Sequence, residues 1–365
     1  DDMEGRGLGT KGINAAADYI AKQFEAAGLE PAGVNNTWFQ PFDMPVGATL
    51  GKTNTLSLST PRGRRNRRKA PSTRWTVGED WTPLGFSASG RIRGDLVFAG
   101  YGITAPEFDY DDYKGMDVTG KVVVILRYEP GEKDPHSPFD GEKHSRYAAL
   151  RYKAINARDH GAIAVLIVNP PVGHEKDPLI SLRRTPGKAG SIFIAQVKQA
   201  VANEIFKLNQ MTLGAIQNKI ETTGKPHSRN LPGKVELDID LLQETKPAKN
   251  VMGRLPGAHK SAHNEYLVLG AHYDGLGLGK SGSLDPDKKG QIHNGADDNA
   301  SGTAALIEIA KVLARIKPTL DRSILFMAFS AEESGLGGSS HYVDNPTIPL
   351  KDTRAMLNMD MVGRL

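Results

Sequence analysis

Two adjacent aspartates, Asp297 and Asp298, stand in the small-residue stretch HNGADDNASGTAALIEIAKVL, residues 293–313, just before an amphipathic helical pattern. Neighbouring carboxylates repel, and a helix cap needs only one of them. A cation is the expected reason for the second, with other parts of the chain supplying its remaining ligands. Three further clusters are placed to do so. His272 and Asp274 close YLVLGAHYD, Glu332 and Glu333 close ILFMAFSAEE, and Asp360 closes AMLNMD. Each is weak alone: HxD recurs by chance, paired glutamates often open a solvated helix, and an Asp-Asp ahead of Ser301-Gly302 can be a simple N-cap. Together, at the ends of successive apolar runs, they describe a carboxylate-rich site with one imidazole. The chain has no cysteine, so thiolate ligands and disulfides are excluded. Hard-to-borderline divalent ions, zinc first, suit such a donor set.

The elements carrying these residues follow an α/β pattern. From about residue 246, KNVMGRLPG and NEYLVLGAHYDG read as strands, ASGTAALIEIAKVLARI as a helix, and RSILFMAFSAEE as the next strand. GLGGSSHYVDN opens another helix, and RAMLNMDMVG is a further strand. Such alternation predicts a mostly parallel, mixed sheet flanked by helices, with ligands bound beyond the carboxyl ends of its strands. All four clusters then converge on one sheet edge.

Upstream, Ile13, Ala17, Ile20, Phe24 and Ala27 recur at helical spacing, and Gly28 and Pro31 supply the stop. WFQPFDM and TNTLSLST read as short strands after it. The middle of the chain is β-rich, with strands expected within 94–103, 120–130 and 161–171 and a helical stretch between the last two. SIFIAQVKQAVANEIFKLN predicts one more strand leading into a helix. Its histidines, His136, His144, His160 and His174, are scattered among polar neighbours and read as surface residues. These shifts divide the chain into an N-terminal part of the core domain, 1–74, an inserted β-rich domain, 75–245, and the rest of the core, 246–365.

The 365 residues suffice for two domains, and 39% hydrophobic with 24% charged residues is ordinary for a globular protein. No apolar run approaches the roughly 20 residues of a membrane span. The formal charge of +4 owes much to six cations in eight residues, Arg62 to Lys69. No aromatic residue is interleaved there, so a solvated loop is expected rather than a nucleic-acid surface. The start at Asp1 without Met suggests a mature form, hence the expectation of a removed signal and a secreted or periplasmic location.

The segments GAHYDG, GADDNASG, FSAEESGLGGS and NMDMVG together resemble the co-catalytic zinc aminopeptidases, a metallopeptidase family that also holds glutamate carboxypeptidases and glutaminyl cyclases. EGRGLGTKG with its helix, and VFAGYGITAPEFDYDDYKGMDVTGKVVVIL, look like the subgroup carrying an inserted protease-associated (PA) domain. The resemblance implies two zinc ions per chain bridged by Asp297, with His272 and Asp360 on one and Glu333 on the other. It makes Glu332 the general base and Asp274 the carboxylate that fixes the His272 ring. It places a cis peptide after the bridging aspartate. It also implies a further histidine ligand beyond NMDMVG, without counterpart before Leu365, so a longer parent chain is expected. His293 and His341, the nearest spare imidazoles, occupy no strand end and are not expected to substitute.

What the resemblance implies chemically is hydrolysis of a peptide bond, a di-zinc centre activating water and Glu332 moving its proton. An aminopeptidase acting on the N-terminal residue of a peptide is the leading expectation, with the inserted domain as lid or substrate filter. The same fold also admits a carboxypeptidase, for which Arg127 and Arg146 are candidate carboxylate-binding cations. A glutaminyl cyclase-like acyltransferase and a catalytically silent peptide-binding protein complete the alternatives.

Overall fold

The computed structural model describes residues 2–60, 72–141, 143–182, 190–259, 262, 264–279, 283, 286–316 and 320–364. The basic run Arg62–Lys69 lies outside the described residues. In chain order, the first elements are α1 (Lys11–Ala26), β1 (Glu30–Pro31), β2 (Phe39–Leu50), β3 (Thr55–Ser59), β4 (Ser72–Trp75), β5 (Trp81–Pro83) and β6 (Gly90–Phe98). There follow β7 (Thr104–Ala105), β8 (Tyr110–Asp111), β9 (Val122–Leu126), α2 (Leu150–Asp159), β10 (Ala164–Val168), β11 (Phe193–Val197), α3 (Gln199–Lys207) and α4 (Leu213–Thr223). The last are β12 (Arg229–Ile239), β13 (Leu241–Leu255), β14 (Tyr266–His272), α5 (Gly302–Arg315), β15 (Ser323–Phe329), α6 (Gly337–Asp344) and β16 (Thr353–Asn358). Among the described residues no helix is long and apolar enough to cross a membrane.

The chain divides into two compact units, Asp1–Val46 with Thr245–Leu365, and Gly47–Glu244. The first junction falls well before residue 74, where the sequence pattern had placed it. The reason is strand pairing: β3 and β4 join β12 in the sheet of the second unit, so the segment after residue 46 belongs there.

In the first unit the sheet runs β1-β13-β15-β14-β16, with β2 also on β13. It is mixed, as the sequence led us to expect. Strands β15, β14 and β16 are parallel, and β13 and β1 complete it antiparallel. All seven residues of β15 are buried, as a central strand covered on both faces must be. Their alternation sorts the core. Phe326 and Ala328 face α1 and α5 with Ile20, Phe24 and Leu306, whereas Leu325 and Met327 pack with Tyr342 of α6 and Ile348. Helix α1 buries Ile13, Ala17, Ile20 and Phe24, as their spacing predicts, and each large side chain contributes about 1.5–3 kcal/mol. Its N-cap is Thr10, whose hydroxyl accepts from the Ile13 N–H at 3.3 Å, and Gly28, at φ +81°, turns the chain out of the helix.

The turn from β15 into α6 is held by Asn250. This buried side chain accepts from the Ser330 N–H at 3.1 Å and donates to Gln40 Oε1 and to the Gly338 carbonyl. A Cβ on Gly338 would lie 2.3 Å from Asn250 Oδ1 and 2.4 Å from the Ser330 carbonyl. Gly338→Ala is therefore expected to destabilise the protein by about 1–3 kcal/mol, as overpacking does elsewhere. Thermal melts would register this as a lower midpoint, and an unshifted midpoint would show that the turn relaxes freely.

The second unit is built on an eight-stranded sheet, β4-β3-β12-β6-β9-β10-β11-β5, in which β6, β9, β10 and β11 are parallel. The strands β9 and β10 are fully buried. Val122, Val124 and Leu126 pack with α3 and α4, and Val123 and Ile125 with α2. Its histidines are engaged locally. His144 and His174 bind the two oxygens of Glu132 at 3.1 and 2.7 Å and stack on Tyr128, and His160 stacks on Tyr113.

Candidate metal centre

Parallel pairing brings the carboxyl ends of β14, β15 and β16 to one edge. His272 is the last residue of β14 and pairs with Phe329 of β15; the Tyr273 N–H then donates to the Phe329 carbonyl at 2.9 Å. On the other side Gly270 pairs with Asn358 of β16, two residues before Asp360. The His272 ring is buried, and neither of its nitrogens has a hydrogen-bond partner. What faces it is acid. Nε2 lies 3.2 Å from Asp298 Oδ1, 3.4 Å from Asp360 Oδ1 and 3.8 Å from Glu332 Oε2, while Nδ1 lies 3.6 Å from Asp274 Oδ1. Burial works to lower the imidazole pKa, but Asp274 beside Nδ1 and the charges of Glu332 and Asp360 overcome it and raise it to about 9.

An unpartnered buried imidazole ringed by carboxylates is the donor set of a borderline dication. His272, Asp298 and Asp360 each offer one ligand atom, all within 4.8 Å of one another. Two oxygens and a nitrogen, without sulfur, fit zinc.

The turn Ala296–Ser301 departs from the expectation for its two aspartates. Asp298, not Asp297, reaches His272. The Asp297 carboxylate faces elsewhere: Oδ1 accepts from the Gly363 N–H at 2.9 Å and the Ser301 hydroxyl at 3.2 Å, while Oδ2, 3.1 Å from Arg364 Nε, is buried without a hydrogen-bond partner. The backbone explains the difference. Asp298 leaves the helical region at φ −101°, ψ 95°, so its carboxylate is thrown to a different side from its neighbour's. The cis peptide is Asp298–Asn299, not the bond after Asp297.

Asp274 ties the centre together. It is almost fully buried and accepts from the backbone N–H groups of Glu332, at 3.0 Å, and Glu333, at 3.2 Å. The same carboxylate thus faces His272 and fixes the turn that carries both glutamates. Burial pushes Glu332 up; His272 opposes this, and Asp274, Asp360 and Asp298 add to it. Glu333 stands outside the three-residue group. Burial, and then Asp298, Asp274 and Glu332, push its carboxyl up to about 7.

Three positions escaped the sequence reading. Asn299, fully buried, donates to the Met359 carbonyl at 2.9 Å and accepts from the Gly302 and Met361 N–H groups. It sutures the aspartate turn to the tail of β16. Thr303 donates to the His272 carbonyl at 2.9 Å. Arg6 reaches the same loops from the N-terminal segment. The first two are polar residues at the start of an otherwise apolar helical stripe, a signal that was legible. Arg6, nearly 300 residues away in the chain, gave none.

The spare histidines do not join the centre. His293 Nε2 lies 2.9 Å from Ser283 Oγ and Nδ1 2.9 Å from the Gln291 carbonyl, and His341 stacks on Phe42. Arg146 pairs with Glu107, and Arg127 donates to Asn169 and lies over the Tyr128 ring.

Comparison with known proteins assigns both parts of the chain to families. Residues 250–365 match the model described as Peptidase family M28, and residues 92–205 match the PA domain. The chain is 31% identical over 272 residues to "Aminopeptidase YwaD" of Bacillus subtilis (strain 168), covering 72% of this chain and 45% of that protein. It is 30% identical over 163 residues to "Leucine aminopeptidase 2" of Trichophyton equinum, covering 42% of this chain and 29% of that one. The chain thus spans less than half the length of these curated relatives. A solved aminopeptidase from Aneurinibacillus sp. strain AM-1 aligns over 99% of this chain and 68% of its own, with 23% identity and a TM-score of 0.42. The M28 match holds every residue of the acidic sheet edge, and the PA match falls inside the unit set between the two halves of the first; residues 250–365 are thus assigned to peptidase family M28 and residues 92–205 to the PA domain.

Proposed function

We propose that the protein is a zinc-dependent aminopeptidase. The observation that carries this is the buried His272 ring, its nitrogens without hydrogen-bond partners and Nε2 within 3.8 Å of Asp298, Asp360 and Glu332. The curated relatives quoted above are named aminopeptidases, which supports the same reading. In it, His272, Asp298 and Asp360 would hold one zinc, and Glu333 would help to hold a second beside Asp298. The crowding that pushes the Glu333 carboxyl up to about 7 is what a second cation would relieve.

When bound, zinc lowers the pKa of water toward neutrality and polarises a scissile carbonyl. The remaining work falls to the chain. Glu332, with its backbone fixed by Asp274 and its carboxylate beside His272, takes a proton from the attacking water and returns it to the leaving amine. Asp274 orients the His272 ring and the glutamate turn at once. The carboxylates not neutralised by metal attract the substrate's free α-ammonium and so select the N-terminal residue.

Three versions of one short peptide separate the readings, assayed with the full-length protein and zinc. A peptide with a free N-terminus and an amidated C-terminus is expected to be cleaved, and its N-acetylated counterpart is not. Cleavage only of the third version, N-acetylated with a free C-terminal carboxylate, would replace this reading with a carboxypeptidase.

A further inference from the structure

We propose that Arg6 is a positioning residue of the metal centre. Its guanidinium locks the strand end bearing His272 and Asp274 to the turn bearing Asp298, and so sets the affinity of the centre for zinc. This rests on the reading of the site as a zinc centre.

The contacts converge from two segments. Arg6 Nε donates to the Tyr273 carbonyl at 2.8 Å, between His272 and Asp274. Nη1 donates to the Asn294 carbonyl at 2.8 Å, and Nη2 to the Gly295 carbonyl at 2.7 Å, just ahead of Asp297 and Asp298. One planar fork with donors in fixed directions is suited to hold three carbonyls of two separate loops in one register. A lysine ammonium, a point charge on a flexible stem, is not.

The backbone around Arg6 is shaped to admit it. Its own carbonyl accepts from the Gly275 N–H, and the Gly5 carbonyl accepts from the Gly277 N–H, both at 3.3 Å. Gly5 has φ +59°, and a Cβ there would lie 2.4 Å from the His293 carbonyl. Gly295 has φ +58°, and a Cβ there would lie 2.9 Å from Arg6 Nη2. The turn Glu4–Arg6 is anchored in turn to α1, because Glu4 Oε2 accepts from the Lys11 and Gly12 N–H groups.

Charge adds to the geometry. Burial works against the guanidinium, while Asp274, Asp298 and Glu333 support it. Arg6 thus adds a positive charge whose field reaches three of the acids that crowd the centre.

The test uses the full-length chain as wild type, Arg6→Ala and Arg6→Lys. Zinc affinity is measured by competition with a chromophoric chelator, and the melting of the zinc-free proteins is followed in parallel. Both variants are expected to bind zinc about 10–100-fold more weakly, the loss typical of groups that orient metal ligands. Free guanidinium ion is expected to restore part of the affinity of Arg6→Ala, and sodium at equal ionic strength to restore none. Zinc affinity within about threefold of wild type in either folded variant overturns the inference, even if the zinc-free melting point falls. In particular, Arg6→Lys binding like wild type would show that charge suffices and the fork does not matter. Should Arg6→Ala fail to fold, Arg6→Lys decides alone. A wild-type protein that takes up no zinc would overturn the proposed function, and this inference with it.

Discussion

Glu332→Gln is expected to lower turnover of a peptide substrate by about 10²–10⁴-fold while leaving zinc content unchanged. That range corresponds to about 3–5.5 kcal/mol of lost barrier reduction. The substitution keeps the shape of the side chain and removes only its capacity to take a proton. It leaves intact what fixes the turn, because Asp274 holds the Glu332 backbone N–H and not its carboxylate. The position also suits a base. Burial and the neighbouring acids raise the Glu332 carboxyl from its ordinary range, bringing its proton affinity nearer to that needed at neutral pH. Measuring kcat together with bound zinc separates base from ligand. A variant that loses zinc would make Glu332 a ligand, and one with normal turnover would leave the reaction without its base.

Much of the fold was legible because the hydrophobic pattern and the topology agree. The six residues ILFMAF form an uninterrupted apolar run, which in an α/β pattern means a central strand, and β15 is one. The four-and-three spacing of Ile13, Ala17, Ile20 and Phe24 gave the buried face of α1. Once the strands were parallel, their acidic ends had to share an edge, so the meeting of His272 with Asp360 and Glu332 followed from order alone.

What stayed hidden was set by single dihedrals and by distant segments. Nothing in the letters Asp-Asp says which carboxylate turns inward, because that depends on Asp298 leaving the helical region while Asp297 is capped by Gly363 and Ser301. The junction at 46/47 was equally opaque. TNTLSLST reads as a strand whichever sheet it joins, and only its register with β12, Leu56 against Leu237, assigns it. Arg6 was invisible for a third reason: its partners are backbone carbonyls, which carry no sequence signature.

Replacing each aspartate in turn decides which one serves the metal. Asp298→Asn is expected to lower zinc affinity by more than the roughly 10–100-fold that an orienting group costs, and to abolish measurable turnover. Its Oδ1 lies 3.2 Å from His272 Nε2, and its charge falls on Glu333 and Arg6 as well, so the change touches two other proposed metal ligands and the arginine that positions them. An amide keeps the volume but gives up the negative charge that holds a dication. Asp297→Asn should behave differently. Its carboxylate binds the Gly363 N–H, Ser301 and Arg364, contacts within the turn and the following tail, so the expected loss is in stability, about 1 kcal/mol, with zinc retained. Zinc content and melting temperature measured on both variants give opposite patterns under this assignment. If Asp297→Asn sheds the metal while Asp298→Asn keeps it, the bridging role returns to Asp297. The turn would then have to rearrange around a bound ion, bringing round to His272 a carboxylate that here faces Gly363.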